Sequence, residues 1–236
     1  MQFKPKLLPT LFTIPAIIIL LCLGTWQMQR LHWKKEIISL MNEKSSAQAG
    51  DLPADTANIE DLQYRKFLLK GHFLNDKEVH LFVGTRSIRG EAGYDLLTPL
   101  KLEDGRVVIV DRGWIPSSKK DIKLRPETIS DNVVEVEGML HKGEAKKYFT
   151  PENNIKGNLW FWIDLNSIYS FIDEKPEAFY IRALKKGEGN NLPIAGDAVI
   201  KYRNDHLEYA ITWYSLAIIL FVIYVLYHFK KDGNKA

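Results

Sequence analysis

Hydrophobic residues gather at the two ends of the chain. Leu7 to Trp26 contains no charged residue, and Tyr209 to Phe229 is interrupted only by polar residues such as Thr212, Ser215 and His228. A helix rises about 1.5 Å per residue, so about 20 residues cross the roughly 30 Å hydrocarbon core of a bilayer. The two runs therefore predict transmembrane helices over 7–29 and 206–229. Aromatic side chains stand where the interfaces fall, Trp26 and Trp33 after the first run and Tyr209, Trp213 and Tyr227 around the second. Pro9 and Pro15 are tolerated within a membrane span. A cleavable signal peptide is the alternative for the first run, with Lys4 and Lys6 as its basic region. Against it, the apolar stretch is long, Cys22-Leu23-Gly24 is a poor cleavage site, and bulky Leu21 argues against a lipoprotein cysteine. The expectation is an uncleaved anchor.

Between the runs the pattern changes twice. Trp33, Ile37, Leu40 and Met41 fall at i, i+4, i+7 and i+8, so the chain is expected to stay helical after the first span. Asn42 to Asp61 is polar and reads as a linker, which gives a helical extension and linker over 30–63. From Tyr64 the period is two. Strands are expected from Tyr64 to Leu74, over Val79–Val83, Tyr94–Leu102, Arg106–Trp114, Val133–Leu140, Leu159–Ile163 and Phe179–Leu184. Asn75-Asp76-Lys77 and Glu103-Asp104-Gly105 are turns, and a short helix begins at Asn166 or Ser167 and ends near Ile172. Val107 to Val110 is apolar on both faces, which predicts a central strand. The fold class is an α+β membrane protein. Two terminal transmembrane helices flank a mostly antiparallel β-rich domain over 64–205, a sandwich or a partly open barrel with short helices.

Charge assigns the sides. The tails (1–29 and 209–236) hold five lysines and one aspartate, or +4, which leaves −1 for 30–208 in a chain of net charge +3. Cytoplasmic tails at 1–6 and 230–236 and an exported central domain follow from the positive-inside rule. The basic balance thus reports topology. It is not a nucleic-acid footprint, because no basic patch with interleaved aromatics accompanies it. The lone cysteine, Cys22, excludes an intrachain disulfide, a CxxC pair, a cysteine zinc site and a CxxCH haem attachment. No GxGxxG, GxxxxGK[ST], HExxH or GxSxG occurs, and the six histidines include no i, i+4 pair, so neither a catalytic residue nor a metal site is assigned. A binding or scaffolding module is the expected class rather than an enzyme.

Four segments carry a resemblance. Gly24-Thr25-Trp26-Gln27-Met28-Gln29-Arg30 is similar to GxWQxxR, and Gly93 to Leu100 to GYxxxTPL. Val110-Asp111-Arg112-Gly113-Trp114-Ile115-Pro116 is similar to VxRGWxP, and His206 to Tyr214 resembles HxxYAxTWF with Tyr214 where Phe is usual. In this order and spacing they resemble the Surfeit locus protein 1 family, assembly factors of haem–copper cytochrome c oxidase, over nearly the whole chain. The resemblance implies a multi-pass inner-membrane protein that assists maturation of oxidase subunit I while haem a is inserted, with subunit I, the haem A synthase and the lipid bilayer as partners. No transit peptide precedes the first span, so a bacterial plasma membrane with a periplasmic domain is expected. A cofactor-free scaffold that binds oxidase subunits or the haem-synthesis enzyme is the alternative.

On that basis several residues stand out. His206, Tyr209, Ala210 and Trp213 lie at i, i+3, i+4 and i+7 on one helix face. His206 is the candidate haem ligand, with room left by Ala210 and Trp213 packed against the macrocycle. The other reading is an interfacial histidine bonded to water, headgroups or a helix end. Arg30, Lys34 and Arg203 are candidates to pair with haem propionates or to snorkel to lipid phosphates. Gln27 is placed to hydrogen-bond to the second helix. Arg112 and Trp114 are two apart, so a shared face and a cation–π pair are expected, read either as a docking surface or as a structural corner built on Gly113 and Pro116. Trp160 and Trp162 share a face by the same rule, as core or as a partner-binding patch.

Overall fold

The computed structural model describes residues 2–3, 5–56, 58–84, 90–143, 145–185, 191–196 and 204–230. In chain order the elements are β1 (Gln2–Phe3), α1 (Leu7–Ser46), β2 (Gly50–Asp51), α2 (Ile59–Leu62), β3 (Lys66–Phe73), β4 (Val79–Gly84), β5 (Gly93–Leu102), β6 (Val107–Pro116), β7 (Val134–Lys142), α3 (Leu165–Ile172), β8 (Phe179–Ala183), α4 (His206–His228) and β9 (Phe229–Lys230). They form two compact units, Met1–Leu40 with Lys201–Ala236, and Met41–Ile200.

In the first unit α1 and α4 are both long and apolar enough to cross a membrane, which fits a membrane protein. They run antiparallel, as their cross-pairs require: the hydroxyls of Thr10 and Tyr224 are 2.8 Å apart and those of Thr25 and Tyr214 are 3.2 Å apart. Gly24 permits the close approach, since a Cβ there would stand 2.7 Å from the Tyr214 ring. Ala210 and Ala217 are the buried apolar residues of α4, while Ile218, Ile219 and Leu226 face outward. The helix continues through Pro15, as a span tolerates. β1 and β9 pair as a two-stranded antiparallel ribbon, with Phe3 opposite Phe229.

The helical extension is real, since α1 runs to Ser46, into the segment read as linker. Its expected apolar face is not covered: Met41 is buried, but Trp33, Ile37 and Leu40 are exposed.

The second unit is a partly closed barrel. Its sheet runs β2-β3-β7-β8-β6-β5-β4, and β3 also pairs with β5, so the five strands between them close on themselves. Gly71 is the pivot, paired with Val134 on β7 and with Leu102 on β5. A Cβ there would collide with the Lys101 carbonyl. Phe67, Leu69, Leu100, Val108, Val110, Leu140, Phe179 and Ile181 form one core cluster. On the other sheet face Val79, Leu81, Leu97, Val107 and Ile109 pack with Trp160, Ile163 and the buried face of α3. β6 is therefore apolar on both sides for the reason its sequence implies: each face has its own core. Most pairings are antiparallel, but β6–β8 and β2–β3 are parallel.

One expected strand is absent. Leu159–Ile163 makes only isolated bridges, Asn154 with Leu159 and Leu81 with Trp160. The Asn153 carboxamide oxygen accepts the N–H groups of Phe161 (2.8 Å) and Trp162 (3.4 Å), which takes those donors out of any ladder. α3 starts where its cap sits, with the Asp164 carboxylate accepting from Ser167 N–H (3.3 Å) and Oγ (2.7 Å).

Candidate functional site

His206 is the first residue of α4, and Gln27 lies on α1. The side chains meet within the helical unit, with His206 Nδ1 2.6 Å from Gln27 Oε1. A carboxamide oxygen can only accept, so Nδ1 carries the hydrogen, and in the neutral imidazole Nε2 then keeps its lone pair. Histidines that ligate metals are oriented in this way, the far ring nitrogen donating to an oxygen that fixes tautomer and ring plane. If a haem were bound here, His206 would offer its iron the Nε2 lone pair. Gln27 was expected to reach the second helix; its partner there is the candidate ligand itself.

The surrounding residues follow the helix. Tyr209 is exposed and Trp213 half-buried. Ala210 is 1% exposed, which corrects the expectation of open room above it, because the small side chain is used for packing. Arg30 is exposed, its guanidinium 5.0 Å from the Trp33 ring centre and 5.8 Å from that of Trp26, so it rests on aromatic neighbours one turn either side. Arg203 lies outside the described residues.

In the barrel unit Arg112 and Trp114 do not stack. The β5–β6 register slips between Asp95/Trp114 and Leu97/Asp111, so Arg112 and Gly113 together stand opposite the single residue Leu96. This bulge cancels the two-residue rule. Gly113 has φ +112°, and its N–H donates to Asp111 Oδ1 (3.1 Å). Arg112 turns to the Phe73 ring (4.3 Å) and donates to the Thr128 carbonyl (2.6 Å), and burial pushes its pKa down to about 10. Trp114 is buried, its backbone N–H and C=O both bonded to Ile194 (2.9 Å each). The corner reading fits these contacts. Trp160 is fully buried core and Trp162 half-buried, so the pair makes no exposed patch.

A buried ionic cluster had no signal in the sequence. Arg125 is fully buried, and its guanidinium donates to both oxygens of Glu78, to Thr128 Oγ1 (3.0 Å) and to the carbonyls of Lys119 (2.9 Å) and Lys120 (3.3 Å). Burial pushes the Glu78 carboxyl up, but His80 and Arg125 outweigh it and hold it below the ordinary range. Only a spacing of 47 residues connects Glu78 to Arg125. Local patterning cannot find such a pair.

A model of the SURF1 family matches residues 14–218. The SURF1-like protein of Rickettsia bellii is 37% identical over 217 residues, covering 90% of this chain and 87% of the relative. The SURF1-like protein of Monosiga brevicollis is 32% identical over 225 residues, 91% of this chain and 85% of the relative. Surfeit locus protein 1 of Gallus gallus is 31% identical over 213 residues, 83% of this chain and 67% of the relative. The matched span includes Gln27, the Arg112 bulge and His206, and on this similarity the chain belongs to the SURF1 family.

Proposed function

We propose that this protein is a membrane-bound assembly factor for a haem–copper cytochrome c oxidase, assisting maturation of subunit I by holding or delivering haem a. The single observation that carries the reading is the His206–Gln27 contact of 2.6 Å, which in the neutral imidazole leaves Nε2 as a lone-pair donor. Haem a, when bound, supplies an iron centre that accepts such a donor. The chain's own contribution is to fix the imidazole in one tautomer, with Tyr209 and Trp213 as aromatic surface nearby and Arg30 or Arg203 as partners for the propionates. The protein is not read as a catalyst. The tail charge of +4 supports cytoplasmic termini, a periplasmic domain and the cell inner membrane.

The second reading is a cofactor-free scaffold that binds subunit I or the haem A synthase through the β-unit. One observation favours it. Tyr148 and Phe149 are each 93% exposed and pack edge to face with ring centres 4.9 Å apart. Large aromatics so exposed are suited to anchoring a protein partner.

Complementation separates the two readings. Cells lacking this protein are expected to lose assembled oxidase and to regain it with the wild-type chain. Under the haem-holding reading His206→Ala fails to restore oxidase, whereas Tyr148→Ser/Phe149→Ser restores it. The reverse pattern supports the scaffold, and oxidase that assembles normally without the protein contradicts both.

A further inference from the structure

A second site lies within the barrel unit. A cavity of about 390 Å³ opens where β4, β5 and β8 meet the 145–150 and 161–163 segments. That is within the usual range for small-molecule sites. Phe82, Phe161 and Trp162 give it aromatic walls, and Phe82 and Phe161 meet edge to face at 6.0 Å. Three charged residues line it as well: Asp95, Arg182 and Lys147.

The polar groups have a common bias. Arg182 Nε donates to Asp111 Oδ2 (3.0 Å), which balances its charge, and its side chain remains partly exposed. The indole Nε1 of Trp162 is buried and has no acceptor among the described residues. An indole N–H and a guanidinium can only donate. A buried donor left without an acceptor costs about 1–3 kcal/mol, which a ligand oxygen would recover. A cation, in contrast, would meet Arg182 and Lys147.

We propose that this cavity binds an amphipathic carboxylate, its acid group at Arg182 and Asp95 and its apolar body against Phe82, Phe161 and Trp162. The same chemistry is offered by a free organic acid and by the C-terminal carboxylate of an apolar peptide.

Asp95 gates the site. Its carboxyl is pushed up to about 7, first by burial and then by the charge of Asp111, with Arg182 pulling the other way. Asp111 on β6 and Arg182 on β8 act on it directly, and Tyr180 on β8 and Lys147 on the loop line the same cavity. A carboxylate ligand prefers Asp95 protonated, as a further donor, and is repelled once Asp95 ionises. Binding therefore weakens as pH rises through about 7.

The test uses the full chain in detergent micelles with ¹⁵N-labelled tryptophan, and Trp162→Phe identifies the Trp162 indole signal. The probes are 4-phenylbutyrate and its amide, and N-acetyl-leucyl-phenylalanine with a free or amidated C-terminus. Signals from Trp26 and Trp33, in the helical unit, report partition into the micelle. The expected result is a saturable shift of the Trp162 signal with an acid but not with its amide, about tenfold tighter at pH 6 than at pH 8. Asp95→Asn keeps the tighter affinity at pH 8. A free acid that binds as tightly as the peptide identifies a small-molecule site; a peptide that binds tighter identifies a chain terminus. Equal shifts with the amides, binding that tightens as pH rises, or no shift at Trp162 with any probe overturns the proposal.

Discussion

The helix pair and the barrel use the same side chains in opposite ways. In α4, Ile218 is 63% exposed, whereas Ile109 in β6 is fully buried. In the barrel, apolar residues turn inward, and the buried charges Glu78 and Arg125 sit within a shared hydrogen-bond network. In the helix pair, apolar residues turn outward and the inner seam holds small residues and isolated polar contacts: Gly24, Ala210, Thr10–Tyr224 and Gln27–His206. Lipid offers an apolar side chain as much as a protein core does, so the seam is held by packing and hydrogen bonds rather than by burial. The lesson concerns histidine. His141 in the barrel is buried and stacked on Tyr180, while His206 on the seam is only half-buried, with Nδ1 committed to Gln27.

The largest effects are expected where the barrel is cut. Arg125→Leu leaves Glu78 buried without its counter-ion, and unfolding of the barrel unit should become easier by about 3–5 kcal/mol. Trp160→Ala removes a fully buried ring from the outer core and should cost a similar amount, about 3–5 kcal/mol. The matching change in the helix pair, Ile218→Ala, should leave thermal unfolding in detergent almost unchanged, because that side chain faces outward. If the two costs are equal, the contrast between the units is wrong.

Acidity gives the next effect. Burial, and then the charge of Arg182, lowers the His141 pKa to about 4, against an ordinary value near 6.5. The unfolded chain therefore takes up this proton first as pH falls. The contribution of His141 is complete above about pH 6.5 and is lost towards pH 4, by up to about 3 kcal/mol. Asp95 has the opposite sign. Its folded carboxyl holds a proton that the unfolded chain has already released, so its burial weakens the fold increasingly as pH rises from about 4 to about 7. Denaturant unfolding should show Asp95→Asn more stable than wild type at pH 8 and indistinguishable from it at pH 4.

The smallest stability effect belongs to the seam. Gln27→Ala should cost only about 0.6 kcal/mol, the usual value for one polar contact between membrane helices. Its effect on bound haem should be much larger, because it frees the His206 ring to rotate and change tautomer. Haem retention that is unaffected in Gln27→Ala would remove the orienting role of Gln27.

Much of this was legible in the sequence for identifiable reasons. The terminal runs had no charges to mislead, and β6 announced two covered faces through Val107 to Val110. Closure of the barrel was not legible, because it depends on Gly71 pairing with Leu102, and a glycine carries no pattern. The parallel β6–β8 contact was hidden by the long connection between those strands. Leu159–Ile163 has strand composition, yet Asn153 takes the backbone donors that a strand needs. Arg112 and Trp114 were misread because one bulged residue reverses every later facing along a strand. At the candidate site each half was visible alone, His206 in one terminal motif and Gln27 in the other. Their contact spans 179 residues, and it emerges only when the helices pack.

The central claim is that Gln27 holds His206 as a haem ligand. It is tested most directly by the absorption spectrum of the full chain purified from cells that make haem a. The account predicts a Soret band in the wild-type protein that is lost in His206→Ala and reduced in Gln27→Ala, with the barrel still folded in both. Haem that is sub-stoichiometric and unchanged in His206→Ala would contradict it.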